Sequence, residues 1–555
     1  MPVKINTGES IGYAYPLLIK QLLHTPLNTA ANQEIVYRDR KRYTYRIFQE
    51  RIGRLANLLG ELGVEQGSTV AVMDWDSHRY LECYFAVPMM GAILQTVNVR
   101  LAPEQMLYTL NHAKAEVLIV NSEFLPMVEG MRDKLDSVKA VVLIHDDASF
   151  PTSQVAFAGE YEALLERASL SYEFQDFDEN AVATTFYTTG TTGLPKGVCF
   201  THRQIVLHTL AALGALASAA DGQCFRQGDV YMPITPMFHV HAWGIPYVAT
   251  LLGVKQVYPG RYDPDRLLEL KRREGVTYSH CVPTILQMLL AAPAANSVDL
   301  SDWKMTIGGA ALPKGLLMEA LGRGIDVFAG YGMSETCPIL TLTRIKAEMI
   351  NASDEEQLRI RCKTGLPIPL VDLRIVDEAM NDVPHDGNAV GELVVRTPWL
   401  SQFYVGDEAA SKELWRGGYL HTQDIASIDP EGYVQITDRL KDVIKTGGEW
   451  VSSLAIEDII SQHPDVAESA VLGFPDERWG ERPVAFVVLH PNADHRLSKQ
   501  TIKAHVSKFA AIGAISRYAV PERIILVDAL EKTSVGKTNK KAMREKFSPH
   551  VGVAR

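Results

Sequence analysis

Residues 187–197, with the sequence YTTGTTGLPKG, combine small, hydroxylated and cationic side chains in a way that suits an anion. Small residues let backbone N–H groups approach a phosphate, the hydroxyls add donors, and the lysine adds positive charge. The stretch departs from the GxxxxGK[ST] phosphate loop, because its lysine lies between proline and glycine. A flexible polar surface loop is the alternative. We predict a phosphate-binding loop formed by Thr188, Thr189, Gly190, Thr191, Thr192, Gly193 and Lys196.

Two further stretches hold side chains that could do chemistry. In GYGMSET, residues 330–336, the ring of Tyr331 can stack on a base and Glu335 offers the hard oxygen that Mg²⁺ prefers. A tight turn with a solvated glutamate is the alternative. In PMFHVHAW, residues 236–243, two histidines stand at spacing i, i+2. Because no third ligand follows at a suitable spacing, a hydrogen-bonded core histidine is favoured over a metal ligand.

The elements around these stretches alternate between strand and helix. Thr44 is a plausible N-cap for a helix whose apolar face runs from Ile47 to Leu62. Further predicted elements are strands at 68–73, 115–120, 254–258 and 325–328, and helices at 78–90 and 205–220. This alternation predicts an α/β fold with largely parallel sheets. From about Asp372, short strands and turn-rich loops indicate a β-rich subdomain. We place one domain boundary after Asp438, giving domains 1–438 and 439–555.

Composition excludes several classes of protein. The chain has 555 residues and a net charge of −11, which argues against a nucleic-acid partner. The 6 cysteines have no CxxC spacing, so a structural zinc site is not expected, and scattered thiols are typical of a reducing compartment. The longest apolar run, 205–220, is too short for a membrane span. With no signal peptide at the start of the sequence, we expect a cytoplasmic protein without an integral membrane segment.

Seven motifs occur in an order that resembles the adenylate-forming superfamily of acyl-CoA synthetases, acetyl-CoA synthetase and luciferase. Besides YTTGTTGLPKG, the matching stretches are PMFHVHAW (236–243), GGA (308–310), GYGMSET (330–336), TQD (422–424), DRLKDVIKTGGEW (438–450) and KTSVGK (532–537). Within that superfamily the chain most resembles bacterial fatty-acyl-CoA synthetases, because of MFHVHAW and KTGLPIPL (363–370). The resemblance implies a large N-terminal adenylation domain and a small, mobile C-terminal α+β domain.

The resemblance also implies a role for each matching residue. ATP or AMP would contact the phosphate loop and Gly309, Ala310, Gly330, Tyr331, Gly332, Ser334, Asp424 and Arg439, and Mg²⁺ would bind Thr188 and Glu335. The acyl group would contact His239, Trp243, Gly308 and Gly309, and the catalytic residues would be Lys537, Glu335, Lys445 and His239. The hinge would be Lys441, and coenzyme A would approach Gly447, Gly448, Glu449 and Trp450.

Two positions depart from the family pattern. Gln423 stands where relatives carry glycine, and Glu531 stands where many carry proline. The first could shift the loop that holds Asp424, and the second could loosen the loop before Lys537.

The implied reaction is the ATP-dependent, AMP-forming ligation of a carboxylic acid to coenzyme A through an acyl adenylate, with Mg²⁺ as cofactor. A medium- or long-chain fatty acid is the first choice of substrate. The alternatives are a short acid such as 3-methylthiopropionate, or an adenylating enzyme that passes its acyl group to a carrier protein. A non-catalytic nucleotide-binding protein is disfavoured, because Glu335 and Lys537 are both present. The resemblance also points to a homodimer.

Overall fold

The computed structural model describes residues 12–147, 151–188, 194–219, 223–446, 449–491, 493, 498–533 and 536–551. Within this part of the chain, the strands form four sheets and the helices pack mainly on the two larger sheets. No helix in these ranges is long and apolar enough to cross a membrane.

Residues up to 367 supply the two large sheets. Their strands are β1 (Glu34–Tyr37), β2 (Lys41–Thr44), β3 (Thr69–Met73), β4 (Ile93–Thr96), β5 (Ala115–Asn121), β6 (Ala140–Ile144), β7 (Gly159–Glu160), β8 (Val182–Thr188), β9 (Lys196–Thr201), β10 (Val230–Pro233), β11 (Lys255–Tyr258), β12 (Tyr278–Cys281), β13 (Lys304–Ile307), β14 (Asp326–Gly332), β15 (Ile339–Leu342) and β16 (Leu366–Pro367).

The helices of the same region flank these sheets. They are α1 (His24–Thr29), α2 (Tyr45–Glu61), α3 (His78–Met89), α4 (Pro103–His112), α5 (Leu125–Met131), α6 (Tyr161–Arg167), α7 (His202–Ala217), α8 (Val240–Trp243), α9 (Ile245–Leu252), α10 (Pro264–Glu274), α11 (Pro283–Ala291), α12 (Lys314–Gly322) and α13 (Asp354–Arg361). The 3₁₀ turns of the described chain are Ile19–Leu23, Ser122–Phe124, Arg132–Lys134, Pro293–Asn296, Ser334–Thr336, Ala347–Met349, Arg416–Gly418 and Arg517–Ala519.

The predicted alternation of strands and helices is confirmed in both large sheets. One has the order β7-β6-β5-β3-β4-β8-β9, and the other the order β16-β15-β14-β13-β12-β10-β11-β1-β2. Neighbouring strands from β11 through β10, β12 and β13 to β14 are parallel, so their carboxyl ends share one edge. In α2, Thr44 accepts the Ile47 N–H as predicted, but Ile47 itself lies on the exposed side of the helix rather than on its apolar face.

The β-rich region after Asp372 is also confirmed. It forms an antiparallel sheet of β17 (Asp372–Val376), β18 (Gly391–Arg396), β19 (Leu420–Ile428) and β20 (Val434–Arg439), joined by α14 (Glu408–Leu414). Its own core is built from strand residues such as Ile375, Leu393 and Val395.

The C-terminal segment forms an α+β unit around a separate five-stranded sheet. The order is β22-β21-β24-β23, with β25 beside β24. The elements are β21 (Ile444–Thr446), β22 (Glu449–Val451), α15 (Ser453–Ser461), β23 (Val466–Asp476), β24 (Gly480–Leu489), α16 (Ser498–Ala511), β25 (Arg523–Leu526) and α17 (Lys540–Val551). Its core contains Ile456, Ile460, Val471 and Val487. The boundary at 438/439 stays a prediction.

Candidate functional site

A cavity of about 570 Å³ lies where β12, β13 and β14 end side by side. In open α/β sheets, ligands bind at such an edge because the loops that follow neighbouring strands meet there. The cavity brings together residues that the sequence motifs place far apart, namely His239, Trp243, Gly308, Gly309, Gly330, Tyr331, Gly332, Ser334 and Lys537. Ala310, next to Gly309, is exposed.

Two of the cavity glycines are closely packed against their neighbours. A Cβ atom on Gly308 would lie 3.1 Å from Cη2 of Trp243 and 3.1 Å from the Gly330 carbonyl oxygen. A Cβ atom on Gly332 would lie 1.9 Å from the Pro338 carbonyl oxygen. A side chain would therefore crowd the indole of Trp243 at position 308 and clash with backbone at position 332.

Lys537 reaches the cavity from the C-terminal segment. Thr284 Oγ1 on α11 donates a hydrogen bond to the carbonyl oxygen of Gly536 over 3.2 Å, and Lys537 Cε lies 3.0 Å from the position of a Cβ on Gly309. Burial, and after it the positive charge of Arg439, lower the pKa of Lys537 to about 8. The amine is thus mostly cationic at neutral pH, beside Asp424 and Glu335, whose charges favour that form.

The loop before Lys537 is held despite the departure at Glu531. The Glu531 carbonyl oxygen accepts the Asn539 N–H over 2.7 Å. Its carboxylate pairs with Lys546 of α17 over 2.6 Å, and the Thr533 N–H donates to the Lys537 carbonyl oxygen over 2.7 Å. These bonds restrain the described residues on both sides of the loop.

Asp424 and Arg439 face each other across β19 and β20, in register. Tyr331 Oη donates to Asp424 Oδ2 over 2.6 Å, and Arg439 Nε lies 3.5 Å from Asp424 Oδ1. Burial raises the pKa of the Asp424 carboxyl, while Arg439 opposes that effect. Gln423 adopts φ +59°, the left-handed region that favours glycine, so the departure at this position is accommodated by strained backbone rather than by moving Asp424 out of register.

Glu335 is buried, and its hydrogen-bond donor was not predicted from the sequence. Tyr404 Oη donates to Glu335 Oε1 over 2.7 Å, and Lys196 Nζ lies 4.5 Å from the centre of the Tyr404 ring. Burial raises the pKa of Glu335. Among the described residues, no basic nitrogen lies within 4.0 Å of this carboxylate. Tyr404 lies in a loop where no sequence motif marks it. The only clue to it is that a buried carboxylate such as Glu335 needs a hydrogen-bond donor.

The predicted phosphate loop joins two paired strands. Thr188 ends β8 and Lys196 begins β9, and the two residues are partners in the antiparallel register. Lys196 Nζ lies 3.9 Å from Asp407. Thr189, Gly190, Thr191, Thr192 and Gly193 lie outside the described residues. The pairing of β8 with β9 therefore brings the two ends of this segment side by side.

His239 lines the cavity, whereas His241 does not. Burial lowers the pKa of His239 to about 3, so its imidazole is neutral and can donate or accept a hydrogen bond without charge. Asp76 Oδ1 accepts the Met237 N–H over 2.8 Å and anchors the segment. His241 Nε2 lies 2.9 Å from Thr184 Oγ1 in an aromatic core, which confirms the expectation of a hydrogen-bonded core histidine.

Trp243 stands on a left-handed turn. Residues 240–243 have φ values from +46° to +60°, and Gly244 follows at +73°. Left-handed backbone costs about 1–2 kcal/mol for each residue with a side chain. Such strain is typical of functional sites and persists only where neighbours enforce it. Here the turn directs the indole between Gly308 and His280, whose ring centre lies 5.1 Å away.

The far wall of the cavity carries hydroxyl groups that the sequence did not reveal. Tyr278 Oη and Thr306 Oγ1 are 2.7 Å apart, and Phe225 stacks on Tyr278 at 4.2 Å. His280 is hydrogen-bonded at both ring nitrogens, to Tyr231 at 2.8 Å and to Thr235. Apolar side chains complete this part of the wall, from Leu216, Ile245, Ile339 and Leu342.

Lys445 lies apart from the described cavity residues. It is exposed on β21, where it pairs with Trp450 of β22, and Glu449 pairs with Thr446. Lys441 is exposed in the turn between β20 and β21. Gly447 and Gly448 lie outside the described residues. The structure thus brings one of the two predicted catalytic lysines to the cavity and leaves the other on the surface.

Comparisons with known proteins give one family. The model described as "AMP-binding enzyme" matches residues 23–405, and the model described as "AMP-binding enzyme C-terminal domain" matches residues 455–537. The chain is 41% identical to a long-chain-fatty-acid–CoA ligase of Thermus thermophilus, over 92% of each chain. It is 38% identical to a 3-methylmercaptopropionyl-CoA ligase of Ruegeria lacuscaerulensis, over 89% of this chain and 90% of that one.

A solved structure shares the fold. The anthranilate CoA ligase AuaEII in complex with anthranoyl-AMP superimposes with a TM-score of 0.83 and 24% identity, over 96% of this chain and 98% of that one. The two-part architecture of an adenylation fold is therefore confirmed.

Proposed function

The chain belongs to the AMP-binding enzyme family and is an AMP-forming acid–CoA ligase, and we propose that its acid is a medium- or long-chain fatty acid. The observation that carries this proposal is the joint placement of Lys537 and His239 in one cavity with apolar walls. A cationic amine suits the phosphate and carboxylate of an adenylation reaction, and apolar walls suit an alkyl tail. ATP and coenzyme A are the co-substrates.

The apolar side of the cavity supports the choice of acid. Leu216, Ile245, Ile339 and Leu342 offer a tail no charged partner. A short acid such as 3-methylthiopropionate is the second candidate, because the Tyr278–Thr306 pair places a hydroxyl that can donate at the far wall. The Ruegeria relative is named for that acid.

In the first half-reaction, the carboxylate of the acid attacks the α-phosphorus of ATP and pyrophosphate leaves. The neutral His239 would orient the acid, and Lys537 would stabilise the negative charge that develops as pyrophosphate departs. Asp424, held by Tyr331, would accept hydrogen bonds from the ribose hydroxyls. The phosphate loop with Lys196 would bind the leaving phosphates.

The carboxylate of Glu335 fits a divalent cation. It is buried, its donor is the neutral hydroxyl of Tyr404, and a bound cation would supply the counter-charge that it lacks. Glu335 and Thr188 would hold Mg²⁺ through oxygen. When bound, the ion neutralises phosphate charge.

In the second half-reaction, the thiol of coenzyme A attacks the acyl adenylate and AMP leaves. Lys537 occupies one side of the cavity in this conformation, and Lys445 lies outside. We therefore extend the proposal to a rotation of residues 439–555 about Lys441 that exchanges the two lysines, with residues 447–450 then facing coenzyme A. The homodimer rests on the family resemblance, and the cytoplasmic location rests on the sequence features given above; sedimentation and cell fractionation test them.

Replacing Glu335 with glutamine should lower the rate of adenylation by about 10²–10³, because the amide keeps the shape but loses the charge that holds Mg²⁺. Tyr404→Phe is the matched variant, since it keeps the carboxylate and removes only its hydrogen bond, and it should cost far less. The measurement is ATP–pyrophosphate exchange against Mg²⁺ concentration. Wild-type exchange by folded Glu335→Gln would contradict the role.

The two lysines should separate the half-reactions. Lys537→Ala should slow ATP–pyrophosphate exchange by about 10²–10³ and leave thioester formation from synthetic acyl adenylate and coenzyme A nearly unchanged. Lys445→Ala should show the opposite pattern. Equal slowing of both steps by both variants would contradict an exchange of lysines at one cavity.

A panel of straight-chain acids should give kcat/KM values that rise by about fourfold per methylene until the cavity is filled, since each buried CH₂ contributes about 0.8 kcal/mol. A maximum at acetate or propionate would contradict the fatty-acid assignment but not the ligase activity.

Thr306→Val, which removes a hydroxyl and keeps the shape, separates the two candidate acids. It should lower kcat/KM for 3-methylthiopropionate alone if that acid uses the hydroxyl pair.

A further inference from the structure

The C-terminal domain, residues 439–555, docks on α11 and α12 of the large domain. Gln287 Nε2 of α11 donates to the Ala467 carbonyl oxygen over 2.6 Å. Thr284 of the same helix donates to Gly536, the residue before Lys537. A Cβ atom on Gly315 in α12 would lie 2.8 Å from the Ser461 carbonyl oxygen at the end of α15. The two domains therefore approach closely enough to exclude a side chain.

The first amide of α12 has its acceptor on the other domain. Pro313, the residue before this helix, makes no side-chain capping bond. The Lys314 N–H donates instead to Oδ1 of Asp458 over 2.9 Å, and Asp458 lies on α15 of the C-terminal domain. A carboxylate at a helix N-terminus both satisfies a free amide and meets the positive end of the helix dipole. One acid thus caps a helix that belongs to the opposite domain.

In a second contact between the domains, the acid belongs to the large domain and the capped amide to the C-terminal domain. The Ser453 N–H, at the start of α15, donates to Oδ2 of Asp438 over 2.7 Å. Asp438 is 2% exposed and lies on β20, just before the turn that contains Lys441. Helix α15 is therefore tied to the large domain near both of its ends. The contact at Asp438 is close to the proposed hinge, whereas the contact at Asp458 is distant from it along the helix.

We infer that Asp458 is a positioning residue for Lys537. Its bond to the α12 amide holds the C-terminal domain in the orientation that places Lys537 in the cavity, and rotation about Lys441 breaks this bond. The inference rests on the proposed half-reactions, because it assigns Asp458 to the adenylating orientation only. The described hydrogen bonds of the Asp458 carboxylate are with Lys314 and Gln462, and neither residue lines the cavity. It therefore acts through Lys537 rather than on the substrate.

Asp458→Ala tests this role in the full-length enzyme. Loss of a helix cap lowers the ratio of docked to undocked enzyme by about two- to thirtyfold. ATP–pyrophosphate exchange, which needs the docked orientation, should fall by a factor in that range. Thioester formation from synthetic acyl adenylate and coenzyme A should stay within twofold of the wild type or increase. Gly315→Ala weakens the same docking from the large domain, where its methyl group meets Ser461, and should give the same pattern.

Controls separate a positioning role from a merely structural one. Glu319→Ala removes an acid from α12 that pairs with Arg323, the residue directly after the helix, and it should change neither half-reaction. If Asp458→Ala leaves exchange unchanged, or lowers both half-reactions in parallel, the inference is wrong. Lys537→Ala in the same assay reports on the proposed function itself. If exchange survives Lys537→Ala, the proposed role of Lys537 fails; if Lys537→Ala is impaired and Asp458→Ala is not, only the positioning role of Asp458 fails.

Discussion

The Lys537 amine lies in a cavity formed by glycine backbone and apolar side chains, and the remaining features of the site follow from this placement. An ammonium group loses hydration when it is buried, which is why the pKa of Lys537 falls to about 8. The nearby carboxylates of Asp424 and Glu335 partly offset this loss. Substrate phosphates would offset it further, so the cavity is best stabilised when it holds an anion.

This placement depends on a contact between domains rather than on the cavity alone. The loop that carries Lys537 is bonded to α11 at Gly536, and the domain behind it is bonded to α11 and α12. The same lysine would obstruct a thiol approaching an acyl adenylate. Under the proposed mechanism, tight docking would favour the first half-reaction and weak docking the second. The interface would then have to be strong enough to hold the amine in the cavity and weak enough to release it.

Much of the fold and part of the site could be predicted from the sequence, for physical reasons. Alternating apolar patterns predict strands and helices locally, and glycine-rich stretches such as 330–336 mark strand ends where a ligand approaches backbone. Tyr404 and Asp458 could not be predicted, because their partners are 69 and 144 residues away in the chain. No local sequence pattern distinguishes Tyr278 and Thr306 from ordinary strand residues. The left-handed turn at 240–243 was also missed, since its residues have no preference for positive φ.

The central claim is that one cavity serves both half-reactions and that the C-terminal domain must leave its docked orientation between them. The most direct test is a reversible lock, in which Gln287→Cys and Ala467→Cys are joined across the docked interface by a short cross-linker that contains a reducible disulfide. The account predicts that the cross-linked enzyme catalyses ATP–pyrophosphate exchange at the rate of the reduced enzyme but does not form thioester from acyl adenylate and coenzyme A. Reduction should restore the second step. Thioester formation at an unchanged rate in the fully cross-linked enzyme would contradict the account.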